Sequence, residues 1–307
     1  RPTQLITVTV TDQQGHYIPG LRPEDFAVYE DDMPQALTYF KTGQDEPVSL
    51  GLVVDMSGSM AGKVASARRA LRRFITTVHP RDEIFLEAFN QRPIVLQDFT
   101  DSRALLLQAT AALEPQGGTA LYDAILDGLR RVQKGHHQKK ALVVITDGLD
   151  MASVASRSQT IEAIRHSGVL VYTIGVGNPN RSPLTVGPGI ATGPIIVNRR
   201  RGRGGPTIGY GPSPFLVQGG SGTDETVDSG TLQELSEETG GRHFLLNTAD
   251  VVGSLTVLDE ATQAISDELR QQYSLGYKSP LKGDVYRSIR VETRRDGVVI
   301  RTQKGAG

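Results

Sequence analysis

Cysteine is absent from the 307-residue chain. That excludes disulfides, thiolate nucleophiles and zinc–thiolate sites, and it leaves the compartment open, because exported bacterial proteins often lack cysteine as well. No stretch of 18 or more apolar residues occurs, so no transmembrane helix is expected. Charge of either sign is not in excess: 33 Lys and Arg stand against 34 Asp and Glu. Nothing in that balance calls for nucleic acid or an anionic membrane. Catalytic pairs are missing too. His16, His79, His166 and His243 are isolated, with no carboxylate spacing that makes a catalytic pair. His136 and His137 adjoin Lys139 and Lys140, which fits a helix C-terminal region better than a metal ligand pair. Gly175-Val176-Gly177 lacks the third glycine and the following helix of a dinucleotide fingerprint. The start at Arg1 is expected to reflect a processed form whose signal peptide has been removed.

The length allows one large domain or two smaller ones. Both ends read as strands. Residues 5–12 alternate at period two, and 26–31 and 35–40 are short β-like runs after turn chemistry at 13–20. Residues 272–278, 288–295 and 298–302 read likewise, and Asp296-Gly297 between the last two predicts a hairpin. The two segments, 1–45 and 273–307, are expected to build one six-stranded β-sandwich together.

Residues 46–272 change period. Continuous apolar runs at 48–54, 83–89, 141–146 and 169–176 alternate with helical spacing at 60–78, 102–113, 120–133, 157–167, 230–240 and 250–271. Strand 242–246 and a short one at 92–99 complete the set, with Asp101 expected to cap the helix after it. The alternation predicts an α/β fold with a doubly wound, mostly parallel sheet. One stretch, 178–228, is rich in glycine and proline and reads as a long insertion. It carries Arg199, Arg200, Arg201 and Arg203, which fit a solvated loop or a contact for an acidic partner, and 184–189 with 194–198 could form a small hairpin.

Ligands of open α/β sheets bind outside the carboxyl ends of the strands. Three such ends carry matching chemistry. DMSGSM at 55–60 gives Asp55, Ser57 and Ser59, GGTALYDA at 117–124 gives Thr119, and TDG at 146–148 gives Asp147. Each piece alone has a bland reading as a helix cap or a turn. Together they are two carboxylates and three hydroxyls, an all-oxygen set that suits Mg²⁺, Mn²⁺ or Ca²⁺ and not zinc or copper. Glycines 58, 117, 118 and 148 let backbone approach an ion. Asp150 reads as a loop cap or a supporting acid, Asn90 as a turn residue or a loop tie, and Asp123 as a first-turn acid favoured by the helix dipole. Arg68, Arg69, Arg72 and Arg73 read as a solvated helix face. A helix starting at residue 60 would aim its dipole at an anion beside the ion. Asp55→Ala is expected to remove metal binding without unfolding the protein, on the view that the site lies at the rim and outside the core.

These motifs resemble the von Willebrand factor A domain over about residues 46–272. The family's metal-ion-dependent adhesion site reads Asp-x-Ser-x-Ser, then Thr, then Asp, matched here by Asp55, Ser57, Ser59, Thr119 and Asp147. The flanks at 25–40 and 273–278 resemble a bacterial, commonly exported subgroup. The resemblance implies a bound divalent metal whose open position takes a Glu or Asp from a protein partner. In some members this is coupled to movement of the last helix, here within 250–271. The expected function is therefore a metal-dependent binding module outside the cytoplasm, not an enzyme. Two alternatives stand beside it. One is an accessory role in assembling complexes with a MoxR-type ATPase. The other is metal-dependent phosphoryl transfer, for which the second acid is missing, since Ser57 stands there.

Overall fold

The computed structural model describes residues 3–148, 150–179, 226–246, 251–279 and 286–306. The insertion's arginines 199, 200, 201 and 203 and its suggested hairpin lie outside them.

Strand β1 (Gln4–Asp12) is followed by β2 (Phe26–Glu30), β3 (Met33–Gln35) and β4 (Leu37–Thr42). Next come β5 (Val48–Asp55), helix α1 (Val64–Thr77), β6 (Glu83–Phe89) and β7 (Pro93–Thr100). Helices α2 (Arg103–Ala109) and α3 (Leu121–Val132) lead to β8 (Lys139–Thr146), α4 (Arg157–Ser167) and β9 (Leu170–Val176). The short β10 (Asn178–Pro179) pairs in parallel with β11 (Thr226–Val227). The chain closes with α5 (Ser229–Glu237), β12 (His243–Leu246), α6 (Val251–Gln271), β13 (Tyr273–Tyr277), β14 (Arg287–Thr293), β15 (Val298–Thr302) and β16 (Gly305–Ala306).

The central sheet has the order β12-β9-β8-β5-β6-β7 and is parallel except for the edge strand β7. Every residue of β5 is buried, because both faces of the strand are covered. That is why its run is continuously apolar and not alternating. One face packs Leu50, Leu52 and Val54 against Leu71 and Phe74 of α1, Leu106 of α2 and Ile265 of α6. The other packs Val53 and Phe85 against Ile125 of α3, Ile164 of α4 and Leu235 of α5. From β5 the chain moves outward to β6 on one side, then returns to place β8 on the other. The order therefore reverses between β5 and β8, where such sheets open a crevice at their carboxyl edge.

The terminal strands form two four-stranded sheets, β15-β1-β13-β4 and β16-β14-β2-β3, so the sandwich has eight strands and not six. Ile6, Val8 and Leu275 of one sheet meet Val28, Ile289 and Val291 of the other. The expected hairpin does not form. The chain does turn at Gly297 (φ 73°), but β14 pairs with β2 while β15 pairs with β1. The turn is an arch across the sandwich, because each strand finds a better-buried partner in its own sheet. The helix starts also shift. Ser102, not Asp101, caps α2 by accepting from the amide of Leu105. A short 3₁₀ turn covers Gly58–Met60, and α1 begins only at Val64.

One buried pair makes stability depend on pH. Glu87 of β6 is fully buried beside Asp127 and Arg131 of α3. Burial, and then the hydrogen bond and charge of Asp127, push Glu87 up to about 8, against the pull of Arg131. Glu87 Oε1 has no hydrogen-bond partner among the described residues, so burial of this oxygen penalises the charged form. The folded state thus holds a proton that the unfolded chain releases above its ordinary carboxylate range. Stability must fall as pH rises from about 4.5 through about 8, then level off. Urea unfolding of wild type and Glu87→Gln at matched pH should show a gap of a few kcal/mol opening over that window. A gap that does not change with pH would refute the proton on Glu87.

Candidate metal centre

Asp55 ends β5 and Asp147 follows β8 directly, so the two flank the crevice at the reversal of strand order. Both are fully buried, as are Ser57 and Thr119, while Ser59 is exposed. Asp55 is fixed at both oxygens. Ser57 N donates to Oδ1 at 2.8 Å and Thr146 Oγ1 to Oδ2 at 2.7 Å. Thr146 in turn accepts from Gly148 N at 2.9 Å, which Gly148 permits by its left-handed φ of 80°. Burial raises Asp55 to about 6; the neighbouring charge of Asp147 adds to this, while the hydrogen bonds of Ser57 and Thr146 oppose it. Two buried carboxylates whose charges act on each other favour a cation beside them.

The loops are tied to one another by their backbones. Gly58 N donates to Gly117 O at 2.9 Å and Gln116 N to Met56 O at 2.8 Å. Gly117 sits at φ 76°, so the turn that brings Thr119 forward depends on a missing side chain, whereas Gly58 and Gly118 have ordinary φ. Ala120 N donates to Asn90 O at 2.7 Å, so Asn90 is a loop tie through its carbonyl. Met151 N and Ala152 N both donate to Thr119 O at 2.9 Å. Asp150 caps α3 by accepting from Tyr122 N. Asp123 does more than favour the helix dipole: its two oxygens accept from Val154 N and Ala155 N, each at 2.9 Å.

The donor set, two carboxylates and three hydroxyls, has the all-oxygen chemistry that a hard divalent ion takes. Ser57 Oγ and Ser59 Oγ share a hydrogen bond at 2.9 Å, which holds the two hydroxyls together. Among the described residues no group of three or more His, Cys, Asp or Glu could hold a metal ion. Arg69, Arg72 and Arg73 are exposed as expected, but Arg68 turns inward and donates to the carbonyls of Ala111 and Leu113. His136 pairs with Glu83 at 2.8 Å.

Residues 50–149, which hold both carboxylates and all three hydroxyls, match the family model of the von Willebrand factor type A domain. This stretch is a von Willebrand factor type A domain. The family is known for protein–protein interaction and adhesion. The chain is 32% identical over 156 residues to von Willebrand factor A domain-containing protein 2 of Xenopus laevis, covering 46% of this chain and 19% of that protein. It is 25% identical over 115 residues to inter-alpha-trypsin inhibitor heavy chain H4 of Bos taurus, covering 33% of this chain and 13% of that protein. The chain thus spans a fifth or less of the length of these curated relatives. A solved von Willebrand factor type A structure from Catenulispora acidiphila shares the fold, with TM-score 0.50 and 12% identity over 92% of this chain and 73% of that one. No helix among the described residues is long and apolar enough to cross a membrane.

Two residues of the A-domain site escape a reading of its motif. Thr146 holds Asp55, and it hides in the sequence as the last residue of an apolar strand. Lys63 is the second: its side chain is 2% exposed and its Nζ lies 3.4 Å from Asp147 Oδ2. In the sequence it is one cation among the five of 63–73.

Proposed function

We propose that this protein is a divalent-metal-dependent binding module that works outside the cytoplasm and captures an acidic side chain of a protein partner. Residues 46–272 would form the binding unit and the terminal strands its support. Asp55, Ser57, Ser59, Thr119 and Asp147 would hold Mg²⁺, Mn²⁺ or Ca²⁺. The ion would supply a fixed positive charge that a partner's Glu or Asp can bind.

The observation that supports this reading is the meeting of three loops at one sheet edge, with Asp55 and Asp147 buried there and Ser57 hydrogen-bonded to the exposed Ser59. The exposure of Ser59 leaves the approach open on its side. The anchoring groups around Asp55 are hydroxyls and amides, with no acid–base pair among them, so the reading is binding and not catalysis.

Thermal unfolding in EDTA and in saturating Mg²⁺, Mn²⁺ or Ca²⁺ tests it. An ion at about one hundred times its dissociation constant stabilises by about 2.7 kcal/mol. Equal Tm values with EDTA and with every ion would defeat the reading.

A further inference from the structure

Lys63 occupies a position that costs the protein twice. A buried ammonium loses its hydration. It also stands at the N-terminus of α1, where the helix dipole repels a cation. Asp147 faces it at 3.4 Å and is equally buried. The ammonium is on the carboxylate that follows β8, and Asp55 across the crevice raises the local negative charge.

The charge count has a consequence. Of these three groups, Asp55 and Asp147 carry −2 when ionised, and Lys63 brings their sum to −1. A divalent ion then leaves +1, where two carboxylates alone would be neutralised. Lys63 therefore opposes the ion and favours an external anion once the ion is in place. Two ligands that each relieve the other's charge must bind with reciprocal coupling.

We propose that Lys63 is a tethered counter-ion that keeps metal affinity low until an acidic group arrives, so that metal and partner carboxylate bind together. This rests on the metal reading of the site. A Lys63 that served stability alone would leave this coupling unchanged when altered.

Calorimetric titration of Mn²⁺ into the intact protein, with and without excess acetate, reads the coupling. In wild type, acetate should tighten Mn²⁺ about 5- to 100-fold, the usual span of linked sites. Lys63→Gln keeps a hydrogen-bond donor for Asp147 and removes the charge. It should bind Mn²⁺ at least about tenfold more tightly than wild type, with most of the acetate effect lost. Lys63→Arg, which keeps the charge, should retain both the weak metal binding and the acetate effect. Equal or weaker Mn²⁺ binding by Lys63→Gln overturns the counter-ion and leaves the metal site standing. No acetate effect in wild type overturns it without any variant. Absence of Mn²⁺ binding in every protein would overturn the metal reading, and this inference with it.

Discussion

Asp55→Asn should fold like wild type and show no rise in Tm with Mg²⁺ or Mn²⁺. The carboxylate is fully buried, and it accepts from Ser57 N and Thr146 Oγ1. An asparagine keeps an oxygen for Ser57, and its amide can donate to Thr146, whose hydroxyl is able to turn. What it loses is the negative charge, and with it one of two carboxylates that would neutralise an ion. It also relieves the mutual repulsion with Asp147, so in EDTA the variant should be at least as stable as wild type. Asp55→Ala behaves differently. The site is not outside the core, as the sequence led us to expect, so alanine strands two buried donors at about 1–3 kcal/mol each. That variant should be destabilised and equally blind to metal. Differential scanning of the three proteins separates the cases. A metal-induced shift that survives in Asp55→Asn would remove this aspartate from the ligand set.

The A-domain sheet was legible because it is buried on both faces. Runs such as Val48–Val54 and Ala141–Thr146 have no other use in a globular chain, and their order gave the crossover pattern. The meeting of the three loops was legible for a related reason: parallel strands must bring their carboxyl ends to one edge. What failed was pairing set by tertiary partners. Asp296-Gly297 makes a turn, as its chemistry dictates, but whether β14 and β15 then pair is decided by β1 and β2, far away in sequence. Lys63 was illegible for the same reason. Its burial depends on where Asp147 arrives, 84 residues later, and nothing near Lys63 signals that.

Glu268→Ala should be strongly destabilising, and its mode of unfolding bears on function. Glu268 of α6 is fully buried and takes Tyr172 Oη of β9 at 2.9 Å on one oxygen. On the other it takes Arg301 of β15, with Arg242 at 3.6 Å. Gln272, one turn on, donates to Thr9 of β1 at 3.1 Å. The A-domain sheet and the sandwich therefore meet in one buried network at the C-terminal end of α6. Two further ties pin this end. Lys139 Nζ donates to Leu269 O at 2.8 Å, and Arg270 holds both oxygens of Asp82 at 3.1 Å. Removing the carboxylate leaves Arg301 and Arg242 facing a cavity, a loss of about 3–5 kcal/mol out of the roughly 5–15 that a typical domain has. Urea unfolding followed by far-UV circular dichroism should show one transition, moved to much lower urea. A single transition means that α6 cannot slide at this end without the sandwich, so a metal-linked helix movement would be felt in the terminal strands. Two separate transitions would mean that the sandwich is a passive appendage. The C-terminal half of α6 would then be free to respond to the site alone.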